Sequence, residues 1–183
     1  MTVLVSNYLK FKISRAQLLL GFLLFLISCA NERNQYTISG NTMGTTYSVK
    51  LVSINSGINI QSIEDGIDSI LVSINKQMST WDPTSDISKF NSLTSIEPLS
   101  ISDDLVHVID NSINISKKTN GLFDITVYDL MRIWGFGPNP MSTFPKNDDI
   151  DQVLKITGYE NINITNKKIS KNNIKVKLDL NAI

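Results

Sequence analysis

The arrangement of apolar and polar positions divides the chain into helical and extended segments. Between residues 60 and 78, apolar side chains recur three or four positions apart, which places them on one face of an α-helix. The residues of this apolar stripe are Ile60, Ile63, Ile67, Ile70, Leu71, Ile74 and Met78. A second stripe predicts a helix that Ser102 or Asp103 caps and that ends at residues 119–121. Its inward-facing residues are Leu105, Val106, Ile109, Ile113 and Ser116.

Extended segments are predicted near both ends of the chain. Residues 36–39 and 45–52 are rich in β-branched and aromatic side chains, and Tyr47, Val49 and Leu51 share one face. Further strands are predicted at residues 161–165, 168–170 and 174–180. Shorter helices are predicted at residues 85–91 and 148–156.

Composition indicates a globular protein and excludes one class of partner. Hydrophobic residues make up 42% of the chain and charged residues 19%, which is enough apolar material for a core. The chain has 17 basic and 17 acidic residues and therefore no net charge. This balance argues against binding nucleic acid through a basic surface, so we expect no nucleic-acid partner.

The N-terminus has the three parts of a secretory signal peptide. Lys10, Lys12 and Arg15 precede the apolar run 18–27, and small residues follow it. The run is shorter than the about 20 residues that a transmembrane helix needs. We therefore expect residues 1–28 to be a signal peptide that directs export.

Cys29, the only cysteine, follows Leu26-Ile27-Ser28, and this arrangement resembles a bacterial lipobox. A lone thiol in an exported protein has no disulfide partner, which favours lipidation, for example by palmitate. We expect a lipoprotein anchored to a bacterial membrane on the periplasmic side, with residues 29–35 as the lipidated cysteine and its tether. The alternative is an ordinary signal peptide or an uncleaved anchor with an incidental cysteine.

The densest group of unusual residues is the stretch 121–138. It combines a glycine hinge at Gly121 with a carboxylate between Phe123 and Ile125. Two large aromatic side chains, one tryptophan and one phenylalanine, precede a Gly-Pro stop. A buried carboxylate costs free energy unless it is compensated, so Asp124 should be held by backbone N–H groups, a ligand or a metal. The alternative is an aspartate that caps the following helix.

Two loops could contact a ligand. The glycine-bracketed turn 40–46 carries Thr42, Thr45 and Thr46, whose hydroxyls could bond a phosphate or a ribose. It matches neither the P-loop nor the dinucleotide-binding fingerprint, so a plain hairpin turn is the preferred interpretation. Trp81 lies where Asp82-Pro83 breaks the preceding helix, and it could stack on a flat ring or fill the core.

His107, the only histidine, has no Cys, His, Asp or Glu at ligand spacing beside it, which disfavours a zinc site. A Ser-His-Asp hydrolase would have to use this histidine, and the chain has no Gly-x-Ser-x-Gly turn. We therefore expect His107 to be structural or to face the solvent.

Four segments resemble, in the same order, those of the bacterial ApbE-type FAD:protein FMN transferases. These four family segments are residues 42–49, 78–86, 121–138 and 179–183. The resemblance implies an α+β flavin-transferase fold. It also implies an enzyme that splits the pyrophosphate of FAD and attaches FMN through its phosphate to a threonine of a partner protein, such as a redox-pump subunit.

The resemblance also assigns site residues. The flavin contacts that it implies are Met43, Trp81, Leu122, Phe123, Asp124 and Asp179. Trp81 replaces a tyrosine that is common at its position and keeps a stacking surface, and the two carboxylates can accept hydrogen bonds from ring or ribose donors. The backbone carbonyl of Ala182 matches a Mg²⁺ ligand, and the ion would neutralise charge on the pyrophosphate. The resemblance assigns no catalytic residue.

Members of this family continue for about as much chain again, so residues 36–183 resemble the N-terminal part of the domain. One carbonyl does not make an octahedral Mg²⁺ site, and we expect this chain to be inactive by itself. Two alternatives stay open: a membrane-anchored flavin-binding lipoprotein without catalysis, and a lipoprotein with a structural or interaction role.

Overall fold

The computed structural model describes residues 33–54 and 57–181. The predicted signal peptide, Cys29 and Ala182 lie outside these residues. The described residues divide into two compact units, one containing residues 33–39, 48–54 and 57–59 and the other residues 40–47 and 60–181. In the part of the chain that the structure describes, no helix has the length and apolarity needed to span a bilayer.

The first two strands form a hairpin. Strands β1 (Asn34–Thr42) and β2 (Thr45–Ser53) pair with each other and are joined at Met43-Gly44. Both turn residues have positive φ, 49° and 73°, which is the conformation of a type I′ turn. The hairpin turn is therefore confirmed, although it is shorter than the predicted loop.

Five α-helices are described; the sequence predicts four of them, and the helix inside the stretch 121–138 entered only through the capping alternative for Asp124. They are α1 (Ile60–Met78), α2 (Asp86–Ser92), α3 (Asp103–Lys118), α4 (Tyr128–Ile133, inside the stretch 121–138) and α5 (Asn147–Leu154). Ser85 and Ser102 cap α2 and α3, because their hydroxyls accept the Ser88 and Leu105 N–H groups at 3.0 and 3.1 Å. One member of the α1 stripe is wrong, since Ile70 is 61% exposed.

A three-stranded antiparallel sheet has the order β3-β5-β4, with β3 at Leu99–Ser100, β4 at Ile162–Thr165 and β5 at Lys168–Lys171. The β4–β5 turn is Asn166-Lys167, both with positive φ. In the register, Ile164 faces Ile169, and Ile169 in turn faces Leu99. The two-residue strand β3 was not predicted, because it is too short to show an alternating pattern.

The strand predicted at residues 174–180 is wrong: residues 174 and 175 form a turn, and residues 176–180 pair with no strand among the described residues. Its alternation is nonetheless real from Val176 onwards, since Val176, Leu178 and Leu180 are buried. Ile174 is 48% exposed, contrary to the predicted apolar face. The backbone of this segment bonds instead to a side chain of α2 and to the loop before α4.

The core lies between α2, α3, β5 and the segment 174–180. Its members are Ile87, Phe90, Ile101, Leu105, Ile109, Ile125, Ile162, Ile169, Val176, Leu178 and Leu180. Burial of these side chains supplies the main stabilising free energy of the larger unit. The core therefore fixes the positions at which the second, third and fourth family segments emerge.

Candidate functional site

The Asp124 carboxylate is held by three hydrogen bonds. Its Oδ1 accepts the Thr126 N–H at 2.8 Å and the Thr126 hydroxyl at 2.6 Å, and its Oδ2 accepts the Tyr159 N–H at 2.8 Å. Backbone donors therefore compensate this half-buried carboxylate, as one of the predicted alternatives requires. The helix-capping alternative is wrong, because Val127 occupies the N-cap of α4. A carboxylate has about four acceptor positions, so roughly one is left for a ligand.

Thr126 extends this network. Its buried hydroxyl also accepts the Gly158 N–H at 2.7 Å, so Asp124 and Thr126 together fasten the loop before α4 to the Gly158-Tyr159 turn. Partial burial raises the pKa of the Tyr159 phenol, and the negative charges of Glu160 and Asp124 raise it further. Sequence reasoning missed these partners. An aspartate two positions before a threonine was the available local signal.

The fourth family segment meets the second and the third. The Asp179 N–H donates to the carbonyl of Ile125 at 2.8 Å, next to Asp124. The Asn181 amide donates to the Thr80 hydroxyl at 2.9 Å, next to Trp81. The Asp179 Oδ1 accepts the Asn181 N–H at 2.9 Å, which closes the turn between these two contacts. Folding thus brings together segments that lie far apart in sequence.

Trp81 lies on the surface of the loop that follows α1. Its side chain is 63% exposed, so the core-filling interpretation is wrong and the indole is accessible. The loop is shaped by Asp82, whose Oδ1 accepts the Thr84 N–H and hydroxyl at 2.8 and 2.7 Å. These hydrogen bonds from Thr84 lower the pKa of the Asp82 carboxyl.

Met43 lies at the hairpin tip and is 53% exposed. Two hydrogen bonds connect the hairpin to Asn75 and Asp68 of α1. The Asn75 amide donates to the Thr42 hydroxyl at 3.2 Å, and the Tyr47 hydroxyl donates to Asp68 at 2.8 Å. The bond to Asp68 raises the pKa of the Tyr47 phenol. The first family segment is thus fixed to the helix that leads directly into the second.

Two cavities lie near these segments. The larger, about 580 Å³, is lined by residues that include Leu122, Asp124 and Tyr159, and Leu122 is 93% exposed. The other, about 470 Å³, is lined partly by Arg132, Lys175 and Lys177 and by none of the predicted flavin contacts. Met43, Trp81, Phe123 and Asp179 line neither cavity.

Within residues 33–54 and 57–181, no three Cys, His, Asp or Glu side chains converge in a way that could hold a metal ion. The described residues therefore do not fit a Mg²⁺ site by themselves. His107 is exposed, and its Nε2 lies 3.0 Å from the Asn111 amide on the same helix. This agrees with the predicted solvent-facing role.

The sequence matches the model of the ApbE family over residues 43–183. It is 34% identical over 165 residues to the FAD:protein FMN transferase of Vibrio cholerae, which covers 90% of this chain and 49% of that protein. The FAD:protein FMN transferase of Haemophilus influenzae is also 34% identical, over 87% of this chain and 48% of its own length.

Solved structures give the same result. The flavin transferase ApbE from Vibrio cholerae superimposes with a TM-score of 0.77 at 33% identity, over 81% of this chain and 48% of that one. The apo flavinyl transferase ApbE of Pseudomonas stutzeri gives 0.76 at 28% identity, over 82% and 50%.

The fold is therefore the α+β fold of the flavin transferases, as the sequence resemblance predicts. The chain belongs to the ApbE family. It spans about half the length of the curated relatives that it matches.

Proposed function

We propose that this protein takes part in FAD:protein FMN transfer. The observation that carries the proposal is the pair of hydrogen bonds from Asp179 to Ile125 and from Asn181 to Thr80, which gathers three of the four family segments. The relatives that match 90% and 87% of this chain are named FAD:protein FMN transferases.

In the proposed reaction, the hydroxyl oxygen of an acceptor threonine forms a bond to the phosphorus of the FMN half of FAD. The pyrophosphate P–O bond breaks, AMP leaves with the bridging oxygen, and the threonine proton is released. Positioning and charge neutralisation dominate such phosphoryl-type transfers. The acceptor is a protein of unassigned identity that presents a threonine.

We assign the flavin contacts to the predicted residues. Trp81 and Met43 supply exposed flat and polarisable surfaces. Leu122 supplies exposed apolar surface, and Phe123 is partly buried against the core. Asp179 accepts a hydrogen bond from the ligand, whereas Asp124 mainly orders its loop and keeps about one acceptor position for the ligand.

Mg²⁺ belongs to the proposal as the cofactor, with the Ala182 carbonyl as one ligand. Magnesium prefers about six oxygen ligands, and the described residues assemble no such group. When bound, the ion would neutralise the pyrophosphate.

Export and lipid anchoring complete the proposal. They are supported by the basic, apolar and small residues that precede and include Cys29, the lone cysteine. An anchor of this kind would hold the protein on the periplasmic side of a bacterial membrane, since each buried CH₂ of a lipid chain contributes about 0.8 kcal/mol.

The first test is titration of the chain with FAD while tryptophan fluorescence is followed. We expect saturable quenching that is strongly reduced in Trp81→Leu. Trp134→Leu is the matched control, because Trp134 is also half-exposed and is not a predicted contact. Absence of saturable quenching in the unaltered chain would contradict flavin binding.

The second test separates a transferase from the alternative of a flavin-binding lipoprotein without catalysis. We expect the 183-residue chain to bind FAD and to release no AMP. Joined to the C-terminal half of the Vibrio cholerae relative, it should release AMP and label a threonine acceptor when Mg²⁺ is present. A joined protein that binds FAD but never releases AMP supports the binding-only alternative.

A further inference from the structure

The segment 174–181 pairs with no strand among the described residues, and side chains bond its backbone instead. The Lys171 ammonium donates to the Val176 carbonyl at 3.1 Å. Asn91, in the last turn of α2, donates its amide N–H to the Leu178 carbonyl at 2.8 Å. The Leu178 N–H in turn donates to the Asn91 Oδ1 at 2.7 Å. One side chain thus satisfies both backbone polar groups of a residue 87 positions away, as a neighbouring strand would do.

These bonds determine how Asp179 is presented. Leu178 is fully buried, whereas Asp179 is only half-buried and its Oδ1 accepts the Asn181 N–H at 2.9 Å. The Asp179 N–H is itself fixed to Ile125 at 2.8 Å. With the backbone held on both sides of the Leu178–Asp179 peptide bond, the carboxylate of Asp179 has a defined direction beside the third family segment.

We propose that Asn91 is a positioning residue for flavin binding, which acts by holding Leu178 so that Asp179 meets the ligand. The proposal rests on the proposed function, in which Asp179 contacts the flavin nucleotide. Only a primary amide of this length offers the donor and the acceptor together. An aspartate keeps the acceptor but sets a carboxylate oxygen against the Leu178 carbonyl, and an alanine offers neither group.

A purely structural role would also make Asn91 sensitive to substitution, so the test is a double-mutant cycle on FAD affinity. The variants are Asn91→Ala, Asp179→Ala and the pair, each measured by fluorescence titration below its unfolding transition. We expect Asn91→Ala to weaken FAD binding at least about tenfold when Asp179 is present, and less than about twofold when Asp179 is replaced. If the alanine variant does not fold, the isosteric Asn91→Asp takes its place in the cycle.

Asn111→Ala is the matched control. The amide of this asparagine bonds the carbonyl of His107 on its own helix at 2.9 Å and touches none of the family segments. Its replacement should leave FAD affinity unchanged. Equal losses for Asn91→Ala with and without Asp179, or no loss at all, would overturn the proposal.

Hydrogen–deuterium exchange without ligand supplies a readout that does not depend on flavin binding. In Asn91→Ala, amides of the peptide that covers residues 176–181 should exchange faster, while those of α3 should not change. Unchanged exchange in residues 176–181 overturns the positioning role. An unaltered chain that fails to bind FAD contradicts the proposed function instead, and the exchange result then decides the role of Asn91.

Discussion

At the tip of the hairpin, Met43 adopts a backbone conformation that suits glycine or asparagine. Its φ of 49° lies in the left-handed region, where an ordinary side chain costs about 1–2 kcal/mol. Strained backbone of this kind clusters at functional sites. The exposed thioether stands at a position where turn chemistry alone would favour Asn.

Met43→Asn should separate stability from binding. We expect the free energy of unfolding to rise by about 0.5–1 kcal/mol, because asparagine tolerates this conformation, while FAD affinity falls. Urea unfolding and FAD titration measure the two effects. The matched control is Asn166→Met in the β4–β5 turn, where φ is 52°: it should lose similar stability and keep FAD affinity. A Met43→Asn variant with unchanged FAD affinity would remove Met43 from the site.

Lys171 is the second unusual residue, since it is almost fully buried and forms no ion pair with a carboxylate of residues 33–54 or 57–181. Its ammonium donates to the carbonyls of Phe90 and Val176 at 3.2 and 3.1 Å and lies 4.9 Å from the centre of the Phe90 ring. Burial lowers the pKa of this amine below its ordinary value of 10.5, and the nearby charge of Lys177 lowers it further.

The lowered pKa of Lys171 predicts a stability that increases with pH. Between the folded-state pKa and 10.5 the unfolded chain binds more protons than the folded chain, so the free energy of unfolding rises with pH, by at most about 1.4 kcal/mol per unit. In urea unfolding, the free energy of unfolding of the unaltered chain should therefore rise with pH relative to that of Lys171→Met over this interval. Lys175→Met, at an exposed position, should show no such difference. Parallel pH profiles for the unaltered chain and Lys171→Met would contradict the prediction.

At the scale of elements, the long helices could be predicted because their apolar residues repeat with the helical period, and Ser102 marks the start of α3 by a local cap. The conformation of the segment 174–180 could not be predicted. Alternation indicates which side chains are buried, but it does not indicate which groups the backbone bonds to. Its partner is the side chain of Asn91, which carries no signal in the local pattern.

The connection between the loop before α4 and the turn at Gly158-Tyr159 depends on one carboxylate. Asp124→Asn should destabilise the protein by about 1–3 kcal/mol, because an amide cannot accept from both Thr126 and the Tyr159 N–H. Chemical denaturation measures this loss, and faster exchange of the Tyr159 amide would locate it. The control is Asp86→Asn, whose exposed pair with Lys89 should contribute less than about 1 kcal/mol. Equal effects of the two substitutions would contradict the proposed connection.

At the scale of the whole molecule, the four family segments could be recognised in the sequence. The contacts that the fourth segment makes with the second and the third could not be derived from it. The contact of Asn181 with Thr80 joins residues 101 positions apart, and local periodicity does not encode such distances. Asp124 illustrates the same limit, since its burial was expected from its apolar neighbours whereas its partner at Tyr159 was not.

The proposed lipid anchoring concerns the entire chain and is tested at Cys29. In bacteria grown with a labelled fatty acid, the unaltered protein should carry the label and sediment with membranes, whereas Cys29→Ser should lose both properties. Because the chain contains one cysteine, loss of label has a single interpretation. Label that persists in Cys29→Ser would contradict lipidation at this residue.

The burial of Lys171 has a practical consequence. It is the only buried lysine among the described residues. Reagents that acylate surface lysines should therefore leave Lys171 unmodified while the protein is folded. Acylation of Lys171, measured by mass spectrometry of peptides, would then report whether the core of a preparation or variant is folded.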